Sequence, residues 1–146
     1  MLSQTAEYAL RAVVVLANAP GNPQTAQNIA AIAKLPMDYL FKVMQSLGKA
    51  GLVNAQRGKH GGFTLARHPA ELTILDVVNA VDPIRRIQSC PLNLKTHEAR
   101  LCGLHRRLDA ALAMVEEAFS STTLADVLES SDPIRPLCES MVQLHA

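Results

Sequence analysis

The chain has 146 residues, 49% of them hydrophobic and 18% charged, one domain's worth of sequence able to bury a single core, which excludes a disordered tail or a multidomain enzyme. Its longest apolar runs, Ala12 to Ala17 and Ala110 to Val115, fall far short of the roughly 20 residues that span a bilayer, so no membrane partner is expected. The net charge of +1 is uneven: residues 1–67 carry seven basic side chains against two acids, residues 68–107 six against four, and residues 108–146 one against seven.

A basic amino-terminal half is what a phosphate backbone attracts, with the acidic end turned away from it. Charges that merely solvate the surface account for the division equally well. Met1-Leu2-Ser3-Gln4 has no basic n-region, and Glu7 and Arg11 interrupt the apolar residues beyond it, so no secretory signal is read and a cytoplasmic location is expected. Three cysteines, Cys90, Cys102 and Cys138, are an odd number, better suited to free thiols or metal ligands than to a disulfide framework.

In chain order, Ala6, Leu10, Val13, Val14 and Ala17 recur at helical spacing and predict a first helix over about Ser3–Asn18, ended by Pro20-Gly21. Thr25 is placed to cap a short second helix, Ala26 to Lys34, with Ile29, Ala30 and Ile32 as its apolar contacts. Pro36 suits the first turn of a third helix whose core face is Leu40, Val43, Met44 and Leu47, with Gly51 placed to end it. The strands Leu52–Gln56 and Phe63–Ala66 enclose the basic, glycine-rich tip Arg57-Gly58-Lys59-His60-Gly61-Gly62. Two short helices joined tightly and followed by a hairpin describe a winged helix-turn-helix, a mainly α fold with a two-stranded β wing.

Beyond the wing, a helix near Ile74–Val81 stops at Asp82-Pro83, and an irregular stretch runs from Ile84 to about Ala99. A long helix is predicted over Cys102–Phe119, with a narrow stripe of Leu104, Leu108, Leu112, Val115 and Phe119. The stripe points to pairing with a second copy, since winged-helix units commonly read two half-sites as dimers; packing on its own domain is the alternative. Thr122-Thr123 introduces a last short helix through Leu128. The expected organisation is therefore a DNA-binding domain at 1–82, a cysteine-containing loop at 83–101, a dimerisation helix with a closing helix at 102–130, and a tail at 131–146.

If the third helix enters a major groove, its outward face is Asp38, Phe41, Lys42, Gln45 and Lys49. Lys42 and Gln45 suit guanine and adenine edges, Phe41 a thymine methyl and Tyr39 a phosphate, while Arg57 and Lys59 reach the minor groove or flanking phosphates. For Tyr39 and Phe41 the alternative is simple core packing, and for Phe41 the two readings are even. With 3% aromatics and no tryptophan there is no stacking platform for single strands, so duplex DNA is the expected partner, and no small-molecule substrate is expected.

Several segments together resemble the IscR/NsrR family of bacterial winged-helix transcription regulators: Glu7-Tyr8-Ala9-Leu10-Arg11, Tyr39 to Met44 leading into Leu47 to Val53, the wing Arg57 to Phe63, Asp76 to Asp82, and Thr123 to Leu128. The resemblance spans about residues 1–128. It implies a homodimer on a partly palindromic operator, with Arg57 and the positions of Asp38, Phe41 and Lys42 reading the site. Members with an acid at the Phe41 position use it to discriminate sequence; phenylalanine cannot accept a hydrogen bond, so a different operator preference is expected.

Cys102 and His105 lie three apart at a helix start and can face a common metal, and Cys90 and His97 lie on the preceding loop, able to fold back. Soft thiolates with imidazoles suit iron-sulfur clusters or zinc. The family's loop usually carries three cysteines that hold an iron-sulfur cluster, completed by a following histidine or by an acid from the partner's first helix. By that resemblance Cys90, Cys102, His105 and Glu7 match ligand positions. The middle cysteine is missing, with Thr96, His97 and Glu98 in its place, which favours a two-iron cluster with mixed ligands over a four-iron one. Zinc, or metal-free thiols that respond to oxidants, are the alternatives. Cys138 lies outside the motif.

The function expected is a homodimeric transcription regulator sensing redox, iron or nitric oxide status through a cluster or reactive cysteines. The competing reading is a metal-free regulator or interaction module with structural cysteines. Cys102 and His105 as nucleophile and base lack an orienting group and an oxyanion site, so an enzyme is not expected.

Overall fold

Helix α1, Gln4–Ala17, starts where the Ser3 hydroxyl accepts the Ala6 amide, and it buries Ala6, Ala9 and Ala12 to Ala17. Burial on nearly every side makes it the central helix of the core rather than an amphipathic surface element. The computed structural model describes residues 2–129 and 134–137. Around α1 pack α2 (Ala26–Ala33), α3 (Met37–Lys49) and α4 (Ile74–Val81). Thr25 caps α2 through the Asn28 amide, as expected. Ile32, expected among its core contacts, is instead 42% exposed: the buried stripe of α2 is Ala26, Ile29, Ala30 and Ala33, and at about 100° per residue Ile32 points roughly 110° away from the middle of that stripe.

Pro36 takes the cap position rather than the first turn, without a side-chain bond, and α3 begins at Met37. Leu40, Val43, Met44 and Leu47 are buried as the spacing predicts. Gly51, at φ 76°, ends α3 with its amide on Gly48 O and the Leu52 amide on Leu47 O. This αL turn satisfies the last carbonyls and feeds the chain directly into the wing.

The wing is β1 (Val53–Gln56) antiparallel to β2 (Gly62–Leu65), with Val53 opposite Leu65 and Gln56 opposite Gly62. A further bridge joins Gln24 to Phe63 through paired backbone bonds of 3.0 and 2.8 Å. The segment before α2 thus stitches the wing to the helices. Gly62, at φ 149°, lies so close that a Cβ there would stand 2.5 Å from the Gln24 carbonyl oxygen, which is why glycine is required.

After the wing, Thr73 and Asp76 form a capping box that starts α4, and the same device, Thr123 with Asp126, starts α6 (Leu124–Leu128). The two are joined: Ile74 N donates to Thr122 O and Leu124 N to Leu72 O at 2.9 and 2.8 Å. Leu72 and Leu124 are both wholly buried in the common core. Between them in sequence runs α5 (Gly103–Ser120), with Cys102 at its cap position. Pro136 O accepts a long bond from the Asn18 side chain, and Leu137 packs against the core; residues 131–133 and 138–146 of the expected tail, Pro133 and Cys138 included, lie outside the described residues. The outcome is a mainly helical winged helix-turn-helix with a two-stranded wing.

Candidate nucleic-acid interface and cysteine segment

Burying one stripe of α3 leaves the opposite face to solvent. Asp38, Tyr39, Phe41, Lys42, Gln45 and Lys49 all lie outside the buried stripe, and Arg57, Lys59 and His60 of the wing are exposed. The fold separates the two aromatic residues whose roles the sequence leaves open. Tyr39 sets its ring edge-on to Tyr8 of α1, centroids 5.4 Å apart, and carries Lys42 Nζ 5.9 Å over its own face. Phe41 is 53% exposed.

The Tyr8–Tyr39 contact belongs to a ladder not found from sequence. Gln4 donates to the Tyr8 hydroxyl at 2.9 Å, the Arg11 guanidinium lies 5.4 Å over the Tyr8 ring and donates to Ala33 O at 3.2 Å, and Glu7 pairs with Arg11 at 2.8 Å. One helical turn of α1 therefore braces the start of α3 and the end of α2. Glu7, Tyr8 and Arg11 stand in a segment that resembles the family, but local sequence carries no signal of the contacts across to α2 and α3.

In the cysteine segment, Cys90 is buried with its sulfur 3.6 Å from His97 Nδ1, and Cys102 is half-buried with its sulfur 3.4 Å from His105 Nδ1. A 3-10 turn, Lys95–His97, returns the loop so that His97 reaches back seven residues. The Leu94 amide holds the Cys90 thiol below the ordinary range, helped by His97, against burial that raises it. The four side chains thus stand in two thiol-imidazole pairs. Among the described residues no three histidine, cysteine or acidic side chains gather into a group able to hold a metal ion, and the Glu7 carboxylate is engaged by Arg11.

The loop is tied to α5 by Arg86. Its guanidinium grips Asp109 with two bonds of 2.7 Å and reaches Glu116 at 3.1 Å, and the Ile87 amide donates to Asp109 at 2.9 Å. Arg86 first, then the Ile87 amide, lowers the Asp109 pKa from 3.8 to about 2. A carboxylate shifted in this direction stabilises the folded state above pH 4 and loses that contribution as pH falls towards 2. Asp109→Asn should therefore be less stable than the parent at neutral pH, and the gap should close between pH 4 and 2 in acid unfolding followed by circular dichroism. A gap independent of pH would exclude the ion pair as its cause.

No residue of α5 is fully buried. Leu104, Leu108, Met114 and Val115 are exposed, whereas Leu112 and Phe119 are half-buried. Leu112, Val115 and Phe119 face Leu2, Val78 and Ile84 across an open apolar groove of about 560 Å³.

The model of the Rrf2 family, described as "Iron-dependent Transcriptional regulator", matches residues 2–130, which take in the winged helix, the cysteine segment, α5 and α6. The chain belongs to the Rrf2 family. It is 29% identical over 131 residues to a protein of Aquifex aeolicus strain VF5 described as an HTH-type transcriptional regulator, covering 88% of this chain and 91% of that one. Its fold superimposes with a TM-score of 0.74 on CymR (YrzC), the global cysteine regulator of B. subtilis, at 26% identity over 90% of this chain and 98% of the other. IscR of T. potens gives the same TM-score and identity over 90% and 88%. The resemblance read from the sequence is thereby borne out, and this Rrf2 chain is a transcriptional regulator rather than an enzyme. Among its described residues no helix is long and apolar enough to cross a membrane.

Proposed function

We propose that this Rrf2 chain acts in the cytoplasm as a homodimer that binds a duplex DNA operator through α3 and the wing, and that its affinity responds to the state of the thiols at Cys90 and Cys102. The carrying observation is the outward face of α3, Asp38, Phe41, Lys42, Gln45 and Lys49, lying opposite a wholly buried stripe and followed by an exposed basic wing. A helix with that division presents donors and acceptors to base edges, while Tyr39 and the wing cations suit phosphates. Pairing of two copies is supported by α5, which leaves Leu104, Leu108, Met114 and Val115 exposed.

Two thiols and two imidazoles are suitable donors for a two-iron cluster or zinc. In the described chain, however, they stand as two separate pairs, and as arranged they do not make a cluster site. The response is therefore assigned to the thiols themselves. Cys102, half-buried at the cap of α5, is the one within reach of an oxidant. Its modification displaces a side chain at the junction of the cysteine loop and α5, and Arg86 links the same two elements. That shared junction is a physical path from thiol to dimer helix.

One experiment tests both parts. The anaerobically purified protein is used to select a duplex from a random pool, its iron and sulfide are measured, and binding is repeated after treatment with a thiol oxidant. Salt-sensitive binding by iron-free protein that changes on oxidation, and fails to change in Cys102→Ser, is the expected result. Stoichiometric iron and sulfide would overturn the thiol assignment, and absence of duplex binding at low salt would overturn the regulator's proposed interface.

A further inference from the structure

Among the described residues Gln24 is the one polar residue that is buried. A buried amide is costly unless its donors and acceptor are met, and here both ends are. Oε1 accepts from Asn28 Nδ2 in the first turn of α2, and Nε2 donates to Asn22 O at 3.1 Å. The backbone of Gln24 meanwhile faces the wing, exchanging bonds of 3.0 and 2.8 Å with Phe63. Since Phe63 also lies opposite Ala55 of β1, β2 is held along both edges. The two attachments differ in kind. β1 follows α3 through the Gly51 turn and is tied to it by Leu52 N on Leu47 O, whereas the Gln24 side is a bridge of a single residue pair. A two-stranded hairpin is marginal by itself, and one isolated pair has no adjoining pair to stiffen it, so alone it is a pivot.

We infer that Gln24 is a positioning residue for DNA binding: its side-chain amide, clamped between Asn22 and Asn28, sets the angle of the wing to α3 and so holds Arg57 and Lys59 against the duplex phosphates. This rests on the operator-binding reading above. The side-chain bonds, one to the residue two before and one to α2 beyond, fix the segment that carries the bridge and remove the pivot. Gln56 stands opposite Gly62, one pair above the bridge, and Arg57 follows directly. A tilt at Gln24 is therefore passed on to both wing cations. An apolar side chain would satisfy the burial at this position, but only an amide both donates to one flank and accepts from the other.

The test measures affinity for the duplex selected by the full-length parent protein across a fourfold rise in salt, from about 50 to about 200 mM, over which one phosphate contact makes the fall about three- to fourfold steeper. Gln24→Met keeps the length of the buried side chain and loses both bonds, so its affinity should fall less steeply than the parent's by about that factor. Asn28→Ala removes one of the two bonds from an exposed position and should flatten the fall in the same way. In the Arg57→Ala, Lys59→Ala background neither substitution should change affinity by more than about twofold, because residues that act through one another are not additive. Thermal unfolding verifies that each variant is folded at the assay temperature. A folded Gln24→Met with the parent's salt dependence, or a loss that persists in full without the wing cations, overturns the inference while operator binding stands. Should Gln24→Met fail to fold, Asn28→Ala decides by the same two readings. If removing both wing cations leaves the salt dependence unchanged, the wing is not at the duplex, and the inference falls with that part of the operator-binding reading. If the parent binds no duplex at low salt, the reading itself fails.

Discussion

Replacing Leu124 with alanine should lower the unfolding free energy of the whole winged-helix unit by about 2–5 kcal/mol, the usual cost of a wholly buried leucine whose cavity cannot collapse. Leu124 is fully buried in the same core as Leu47, Leu72 and Val77, although it follows them by more than 45 residues and an intervening helix. Its amide also donates to the Leu72 carbonyl, and the Ile74 amide donates to Thr122. The closing turn is thus part of the support of α4 rather than an appendage of α5. Urea unfolding followed by circular dichroism should give one transition, shifted as a unit. A loss below about 1 kcal/mol, or melting of the carboxyl-terminal helices alone, would show that α6 is only loosely attached. The neighbouring Asp126, held below the ordinary carboxylate range by the Thr123 amide, starts α6 and should be spared by this substitution.

Removing both wing cations, Arg57→Ala with Lys59→Ala, should weaken duplex binding strongly and leave stability unchanged. Both side chains are exposed on the turn between β1 and β2, where neither supports the core. Each phosphate contact contributes about 0.9 to the slope of log affinity against log salt, so the double variant should lose about 1.8 from that slope. At low salt the loss should be about tenfold or more, and it should be similar for all duplex sequences if the wing only positions the protein. A loss confined to the selected operator would instead place Arg57 on base edges. An unchanged slope would remove the wing from the interface. Lys42 differs from both, because its ammonium is held over the Tyr39 ring.

The local elements of the fold were legible because each carries its own punctuation. Ser3, Thr25, Thr73 and Thr123 cap the helices they precede, and Gly51 ends α3 at positive φ. The stripe Leu40, Val43, Met44 and Leu47 fixes which face of α3 is inward, and by elimination which is outward. Ile32 shows the limit of such patterns, since an apolar residue lying between the buried Ala30 and Ala33 in sequence still turns to solvent on the flank of the helix. The contacts of Gln24 with Phe63, of Arg86 with Asp109 and Glu116, and of Tyr8 with Tyr39 join residues 23 to 39 apart. No periodicity connects such distant positions, and an arginine on a loop or a glutamine before a helix reads as surface.

What the sequence determined by itself was the winged-helix class, the exposed face of α3, the basic wing and the set of thiols and imidazoles between Cys90 and His105, all properties of spacing and residue type. Only the tertiary structure decided how those groups stand. Chain geometry placed the four sulfur and nitrogen donors in two pairs, assigned Tyr39 to a brace and left Phe41 free, and directed Asp109 and Glu116 of the acidic end to Arg86. Composition counts charges and cysteines, but whether they meet depends on backbone paths that depart from helix and strand, and along those paths neighbouring residues in sequence carry no record of neighbours in space.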